Sequence, residues 1–316
     1  MSSETPTVFV SMVTGTQGGA LARQLRDIGW NVQATARDLN HPKAKALQDI
    51  GVRLIAGDWD DENALGTALI GCNKAFIGFT ANLTDFEAAP RRAQRIVALA
   101  REAGVTQAIT TTTLGVALLE EGNEPAIPPT PLFAQHFASK RRVEKAVEEG
   151  GFDSWTLLRP GFFMANFLNP KVQYGYADLI QKGSWANVMK TELGLGLVDH
   201  EYIAKFASAA FQDPERFHGI RAGLVTEELP VQEMLDQLAA AIGDGRSLKA
   251  HFMTDEEVDE AVAQGSWAVF SRERCVRSMD ALADTKELER LVPGLTTFKE
   301  FLEREKDLVK STYLYS

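Results

Sequence analysis

The chain has 316 residues, 45% hydrophobic and 24% charged, enough for one large core or two unequal lobes. A formal net charge of -10 argues against a nucleic-acid backbone as main partner, because phosphate binding needs a basic face. Cys72 and Cys275 are far apart and fit no metal-ligand spacing, so no metal is expected. The polar opening "MSSETPT" does not read as a secretory signal. No run approaches the roughly 18 apolar residues of a membrane span, so a cytoplasmic protein with no membrane role is expected.

The first elements are in "VFVSMVTGTQGGALARQL", which reads as a strand, a glycine-rich turn and a helix starting near Gly18. Gly15, Thr16, Gln17 and Gly18 would let backbone amides and the positive helix end approach a pyrophosphate. Met12 stands at the first corner of the turn, where a Cβ is tolerable if φ is negative. The second strand ends "QATARD"; Arg37 at its tip suits a 2′-phosphate and so NADP(H) over NAD(H). The third ends "GDWDD", where Asp58 can cap the turn or accept from an adenine amino group, with Trp59 beside it. Phe79 and Thr80 at the end of "LIGCNKAFIGFT" complete the expected cofactor edge.

A helix, a glycine and a short apolar strand recur five times, with Gly29, Gly51, Gly71, Gly104 and Gly150 at the expected helix ends. Helix stripes agree: Leu21, Leu25 and Ile28 in one, Ile96, Leu99, Ala100 and Ala103 in another. Strands alternating with helices predict an α/β fold, a Rossmann doubly wound parallel sheet. After Pro160 the rhythm changes to the aromatic stretch "GFFMANFLNPKVQYGYADLIQKGSW". Later come a helix in "EYIAKFASAAFQDPERF", a strand in "IRAGLVT", a helix in "VQEMLDQLAAAIG", a capping box at Thr254 and Glu257 opening "MTDEEVDEAVAQ", and a charged helix in "FKEFLEREKDLV". The expected division is a dinucleotide-binding domain over 1–160, with 196–226 returning to it. A smaller α/β substrate lobe would hold 161–195 and 227–316, laid over the strand ends.

The series "VTGTQGGALARQL", "TARD", "GDWDDENALGTALIGCNKAF", "HFASKRRVEKAV", "LLRPGFFMANF" and "FASAAFQDPERFHG" resembles the NmrA-like family, atypical members of the short-chain dehydrogenase/reductase superfamily. The resemblance covers most of the chain and implies a Rossmann domain, a small substrate lobe and a nicotinamide dinucleotide, more often NADP. The departure is Met12, where relatives usually carry glycine.

Typical superfamily enzymes use Tyr-x-x-x-Lys on a helix. The matching stretch here is "HFASK", with His136 in the tyrosine place and Lys140 four residues on, on the same face. By resemblance Lys140 holds the nicotinamide ribose, and as an ammonium it can stabilise charge on a substrate oxygen. His136 is a candidate general acid or a structural histidine, and Thr112 in "TTTT" a candidate carbonyl-polarising hydroxyl or a plain strand residue. Pro160, Gly161 and Phe162 would pass beside the nicotinamide, while Phe163, Asn166 and Trp185 could face substrate. Three readings follow. One is an NADP(H)-dependent reductase of a small, fairly apolar carbonyl or imine, secondary metabolites among the candidates. Another is a non-enzymatic sensor that reports NADP(H) to a protein partner. The last is a cyclase or isomerase that keeps NADP bound.

Overall fold

The structure, a computed structural model, describes residues 5–263 and 274–314. The chain forms two compact units. The first comprises Met1–Val116, Ala134–Pro160 and His200–Gly223; the second comprises Ala117–Phe133, Gly161–Asp199 and Leu224–Ser316.

Six strands of the first unit are β1 (Thr7–Val10), β2 (Asn31–Ala36), β3 (Arg53–Ala56), β4 (Lys74–Gly78), β5 (Gln107–Thr111) and β6 (Ser154–Pro160). With a seventh at Arg221–Leu224 they make one sheet, in the order Arg221–Leu224, β6, β5, β4, β1, β2, β3. Neighbours from β3 to β6 are parallel. The last pairing runs the same way, since Leu157 N donates to Ile220 O and Gly161 N to Leu224 O, both at 2.9 Å. The strand order reverses between β1 and β4, the switch point of a doubly wound sheet. The sheet is therefore the parallel Rossmann type expected from the repeated phrase.

Its helices are α1 (Thr16–Asp27), α2 (Pro42–Asp49), α3 (Glu62–Leu69), α4 (Ala88–Glu102) and α5 (Pro131–Glu148), with a later one at His200–Gln212. Asp61 caps α3 by accepting from Ala64 N at 2.9 Å. Gly29, Gly51, Gly71 and Gly104 all take positive φ at helix ends. Two expectations need correction. After α5 the left-handed residue is Gly151, φ 74°, and not Gly150. A Cβ on Gly150 would instead meet Val97 Cγ1 at 2.7 Å and Ala146 O at 2.9 Å, so that glycine serves close packing. Ile28 is 45% exposed, because the α1 stripe ends at Leu25 and Ile28 is already the cap. Phe9, Leu65, Ile77, Ile96 and Val105 are among the residues of the unit's core. Gln33 in β2 is buried as well. It is satisfied sideways, donating to Ile70 O at 3.0 Å and accepting from Arg53 at 2.7 Å.

In the second unit the strand Gly194–Val198 pairs parallel with Phe162–Phe163 and antiparallel with Glu227–Pro230. Ser184–Asn187 pairs parallel with Lys249–Phe252. Leucines and aromatics from Val231–Ile242 and the C-terminal helices close over Phe167 and Trp185. The predicted box at Thr254 and Glu257 is present, with both reciprocal hydrogen bonds. Its helix runs Asp255–Ala263; Gln264, the last residue of the predicted stretch, lies outside the described residues. The terminal stretch breaks at Glu305 into Phe298–Arg304 and Lys306–Tyr313, a second box at Thr297 and Glu300 starting the first of these.

One contact closes the sheet's central turn. A Cβ on Gly18 would lie 2.4 Å from Met12 O and 2.6 Å from Ser11 O, both backbone atoms. Gly18→Ala should therefore destabilise the protein by about 1–3 kcal/mol through overpacking, read as a lower urea midpoint; an unchanged midpoint would show that the turn can open.

Candidate active site

The turn after β1 ends where α1 begins, at Thr16 rather than near Gly18. Gly15 is its cap, extended at φ -86° and ψ 177°, and no side chain caps the helix. The amides of the first turn thus face outward with the positive end of the helix behind them. Gln17 is turned toward β5, its Oε1 accepting from Thr111 Oγ1 at 2.9 Å. Ser11 ties β1 to β4, donating to Gly78 O at 3.1 Å and accepting from Gly78 N at 2.7 Å.

Met12 differs from expectation. Its φ is +53°, the left-handed region, and it is the one non-glycine residue with positive φ among the described residues. A glycine would adopt this corner without strain. The methionine side chain lies over Gly78: a Cβ there would meet Met12 Cε at 2.3 Å and Thr111 Cγ2 at 2.7 Å. Gly78 thus leaves the slot that lets Met12 offset its backbone strain by packing.

The other strand tips carry the remaining cofactor candidates. Arg37 follows β2 directly, is exposed, and has no ion-pair partner among the described residues. Asp58 after β3 accepts from Asp60 N at 2.8 Å, so its carboxylate shapes the turn. Trp59 meets Phe79 edge-on at 5.6 Å, and the Arg92 guanidinium lies over the Trp59 ring at 5.4 Å while it also pairs with Asp60. Phe79 is buried and Thr80 exposed.

Helix α5 places His136 and Lys140 one turn apart, each only 6% exposed. Lys140 Nζ donates to Phe79 O at 2.9 Å, its one hydrogen-bond partner among the described residues. An ammonium has three donors, so two are left for other acceptors. Burial lowers the Lys140 pKa to about 8. Burial, and then the Lys140 charge, lower that of His136 to about 4, so His136 is neutral at pH 7. Thr112 Oγ1 donates to Glu144 Oε1 at 2.7 Å, and Glu144 is gripped by both ends of the Arg159 guanidinium at 3.0 and 2.8 Å. Both charged side chains of that pair are buried, which ties α5 to β6. The sequence gives no sign of this network: Glu144 and Arg159 each stand inside an ordinary helix or strand pattern.

Pro160 ends β6. Gly161 is held by a close backbone approach, since a Cβ would meet Gly196 O at 2.7 Å. Phe162 and Trp185 belong to an aromatic cluster with Phe167 and Tyr176, centroids 5.4 to 6.0 Å apart. Trp185 is buried and its indole N–H has no partner among the described residues. Phe163 and Asn166 are half-buried, with Lys171 Nζ 4.8 Å over the Phe163 ring. Among the described residues there is no group of three metal-ligating side chains and no helix long and apolar enough to cross a membrane.

A buried, poorly partnered ammonium has a cost to folding. Below pH 8 Lys140 is charged in both states and the desolvation penalty is present in full. Between pH 8 and 10.5 the folded state sheds the proton first and the penalty fades. Lys140→Met should therefore raise stability at pH 7 by on the order of 1–2 kcal/mol, a gain that shrinks toward pH 10. Denaturant melts of both proteins at pH 7 and pH 10 check this; a less stable variant at pH 7 would contradict it.

Known proteins share this architecture. The chain is 28% identical over 251 residues to an NAD(P)H azoreductase of Xenophilus azovorans, covering 79% of this chain and 78% of that one. Among solved structures, NmrA, a negative transcriptional regulator, in complex with NADP superposes with TM-score 0.71 at 18% identity, over 98% of this chain and 96% of that one. The NADP(H) complex of Citrobacter sp. triphenylmethane reductase gives TM-score 0.69 at 20% identity, over 94% and 99%. The parallel sheet, the glycine turn into α1 and the family model that matches residues 4–302 agree: the chain belongs to the NmrA-like family.

Proposed function

We propose that the protein is an NADP(H)-dependent reductase of a small, fairly apolar carbonyl or imine compound. The observation that carries this is Lys140: a buried ammonium with one protein acceptor and two donors to spare. In the same unit an uncapped helix start offers amides to a pyrophosphate, and Gly18 has no room for a Cβ. These features fit a dinucleotide. The azoreductase named for NAD(P)H and the reductase bound to NADP(H) support the same reading.

Gly15, Thr16, Gln17 and Gly18 would hold the pyrophosphate, and Arg37 the 2′-phosphate by charge-assisted hydrogen bonds. Asp58, Trp59, Phe79 and Thr80 would border the adenosine side, and Lys140, Pro160, Gly161 and Phe162 the nicotinamide side. NADPH, when bound, supplies the two electrons of reduction. Lys140 would hold ribose hydroxyls and stabilise negative charge on the acceptor atom. It is also the better proton donor of the helix: its pKa of about 8 lies near neutrality, whereas His136, at about 4, holds no imidazolium proton at pH 7. His136 would then shape the site through its ring, and Thr112 would act through Glu144. Phe163, Asn166 and Trp185 stand as the candidates for substrate contact.

Three results check this. Arg37→Ala should weaken NADPH binding about ten- to a hundredfold and leave NADH binding unchanged; equal NADPH affinity in both proteins would remove Arg37 from phosphate recognition. Met12→Gly should keep the fold and bind NADPH as well as wild type or better, because strain is lost with the side chain; if only the glycine variant binds, Met12 blocks the site. Lys140→Met should lower turnover about a hundredfold or more, and wild-type turnover should fall as pH rises through about 8. The assay is a panel of carbonyl and imine compounds followed by NADPH absorbance and product mass. Product without absorbance change would indicate a non-redox enzyme, and NADPH binding with no turnover a sensor.

A further inference from the structure

The segment after β4, Thr80–Asp85, hangs between two backbone carbonyls, and α5 grips both. At one end Lys140 Nζ donates to Phe79 O at 2.9 Å. At the other, Ser139 Oγ donates to Phe86 O at 2.6 Å and Arg142 to the same oxygen at 3.2 Å. Arg142 also pairs with both oxygens of Glu87, at 2.7 and 2.8 Å. Ser139 is buried, and its hydroxyl is spent on the Phe86 carbonyl. Between the grips the loop is mostly exposed. Asn82 Oδ1 gathers Thr84 N, Thr84 Oγ1 and Asp85 N, and Asp85 Oδ1 accepts from Glu87 N and Ala88 N at the start of α4. The loop's shape is set internally, but its place against α5 rests on Ser139, Lys140 and Arg142.

The Phe79 carbonyl is the acceptor that fixes which way the Lys140 ammonium turns its two remaining N–H groups. Phe79 is itself buried at the end of β4, so the grip on Phe86 and Glu87 is the second restraint on its carbonyl, after the sheet. We propose that Ser139 and Arg142 are positioning residues for the dinucleotide: by pinning Phe86 and Glu87 they keep the Phe79 carbonyl on Lys140, and so keep the ammonium aimed at the ligand. This rests on the proposed dinucleotide binding at Lys140. Ser139 and Arg142 themselves touch neither cofactor nor substrate in this account.

The test uses the full chain and NADPH as probe. Wild type, Ser139→Ala, Ser139→Thr and Arg142→Ala are compared by fluorescence titration and by stopped-flow dissociation, with hydrogen exchange of the peptide covering 79–87. Ser139→Ala should weaken NADPH binding five- to twentyfold, mostly by faster dissociation, and speed exchange at 80–86 in the free protein. Ser139→Thr, which keeps the hydroxyl, should restore both, and Arg142→Ala should show a smaller change of the same sign. In wild type NADPH should slow exchange of the same peptide. Faster loop exchange in Ser139→Ala with NADPH affinity within twofold of wild type would overturn the proposal, since the loop would then move without consequence for Lys140. If that happens while Lys140→Met still loses NADPH, only the positioning role fails. No NADPH binding by wild type overturns both this and the dinucleotide reading.

Discussion

The hydrogen bond from Lys140 Nζ to the Phe79 carbonyl fixes the buried ammonium around which the candidate site is arranged. A charge buried to this degree is normally paired with a carboxylate or shed by a pKa shift. Here burial shifts the pKa only to about 8, so the group stays an ammonium at neutral pH with a single carbonyl for company. The nearest strong anion on the same helix, Glu144, is already committed to Arg159. The pairing α5 could have provided is thus withheld from Lys140, and stability is given up at a spot where a ligand with hydroxyl groups would return it.

The ends of β1, β4 and β5 hold one another through close contacts. Gly18 allows α1 to start against the backbone of Met12, Gly78 allows Met12 to lie across β4, and Thr111 uses its methyl group against that slot and its hydroxyl on Gln17. Each of these contacts requires a small residue facing a larger one. The strained Met12 backbone persists because its neighbours leave no better place for it.

Much of this could be seen in the sequence, for physical reasons. The helix–glycine–strand phrase is local, so the parallel sheet followed from it, and the capping box at Thr254 is a four-residue signal that survives out of context. Where two glycines stand together, as at Gly150 and Gly151, local preference is degenerate and packing against Val97 decides which takes the left-handed turn. The start of α1 was displaced for a similar reason: an extended Gly15 can cap without a side chain. Arg37 could be placed because position at a strand tip is fixed by short-range pattern, whereas Lys140 was singled out by the resemblance of "HFASK" to the superfamily's helix motif. The left-handed Met12 was hidden, because nothing in its neighbours' identity announces a slot made by a residue 66 positions on, at Gly78. The partners of Thr112 and Ser139 were hidden likewise, lying 32 and 53 positions away across the fold.

The most direct test is a crystal structure of the protein grown with NADP. The pyrophosphate should lie on the amides of the first turn of α1, with Lys140 Nζ within hydrogen-bond distance of a hydroxyl of the nicotinamide ribose and still bonded to the Phe79 carbonyl. A bound dinucleotide whose ribose leaves Lys140 untouched, or density only at a site away from Gly15–Gly18, would contradict it.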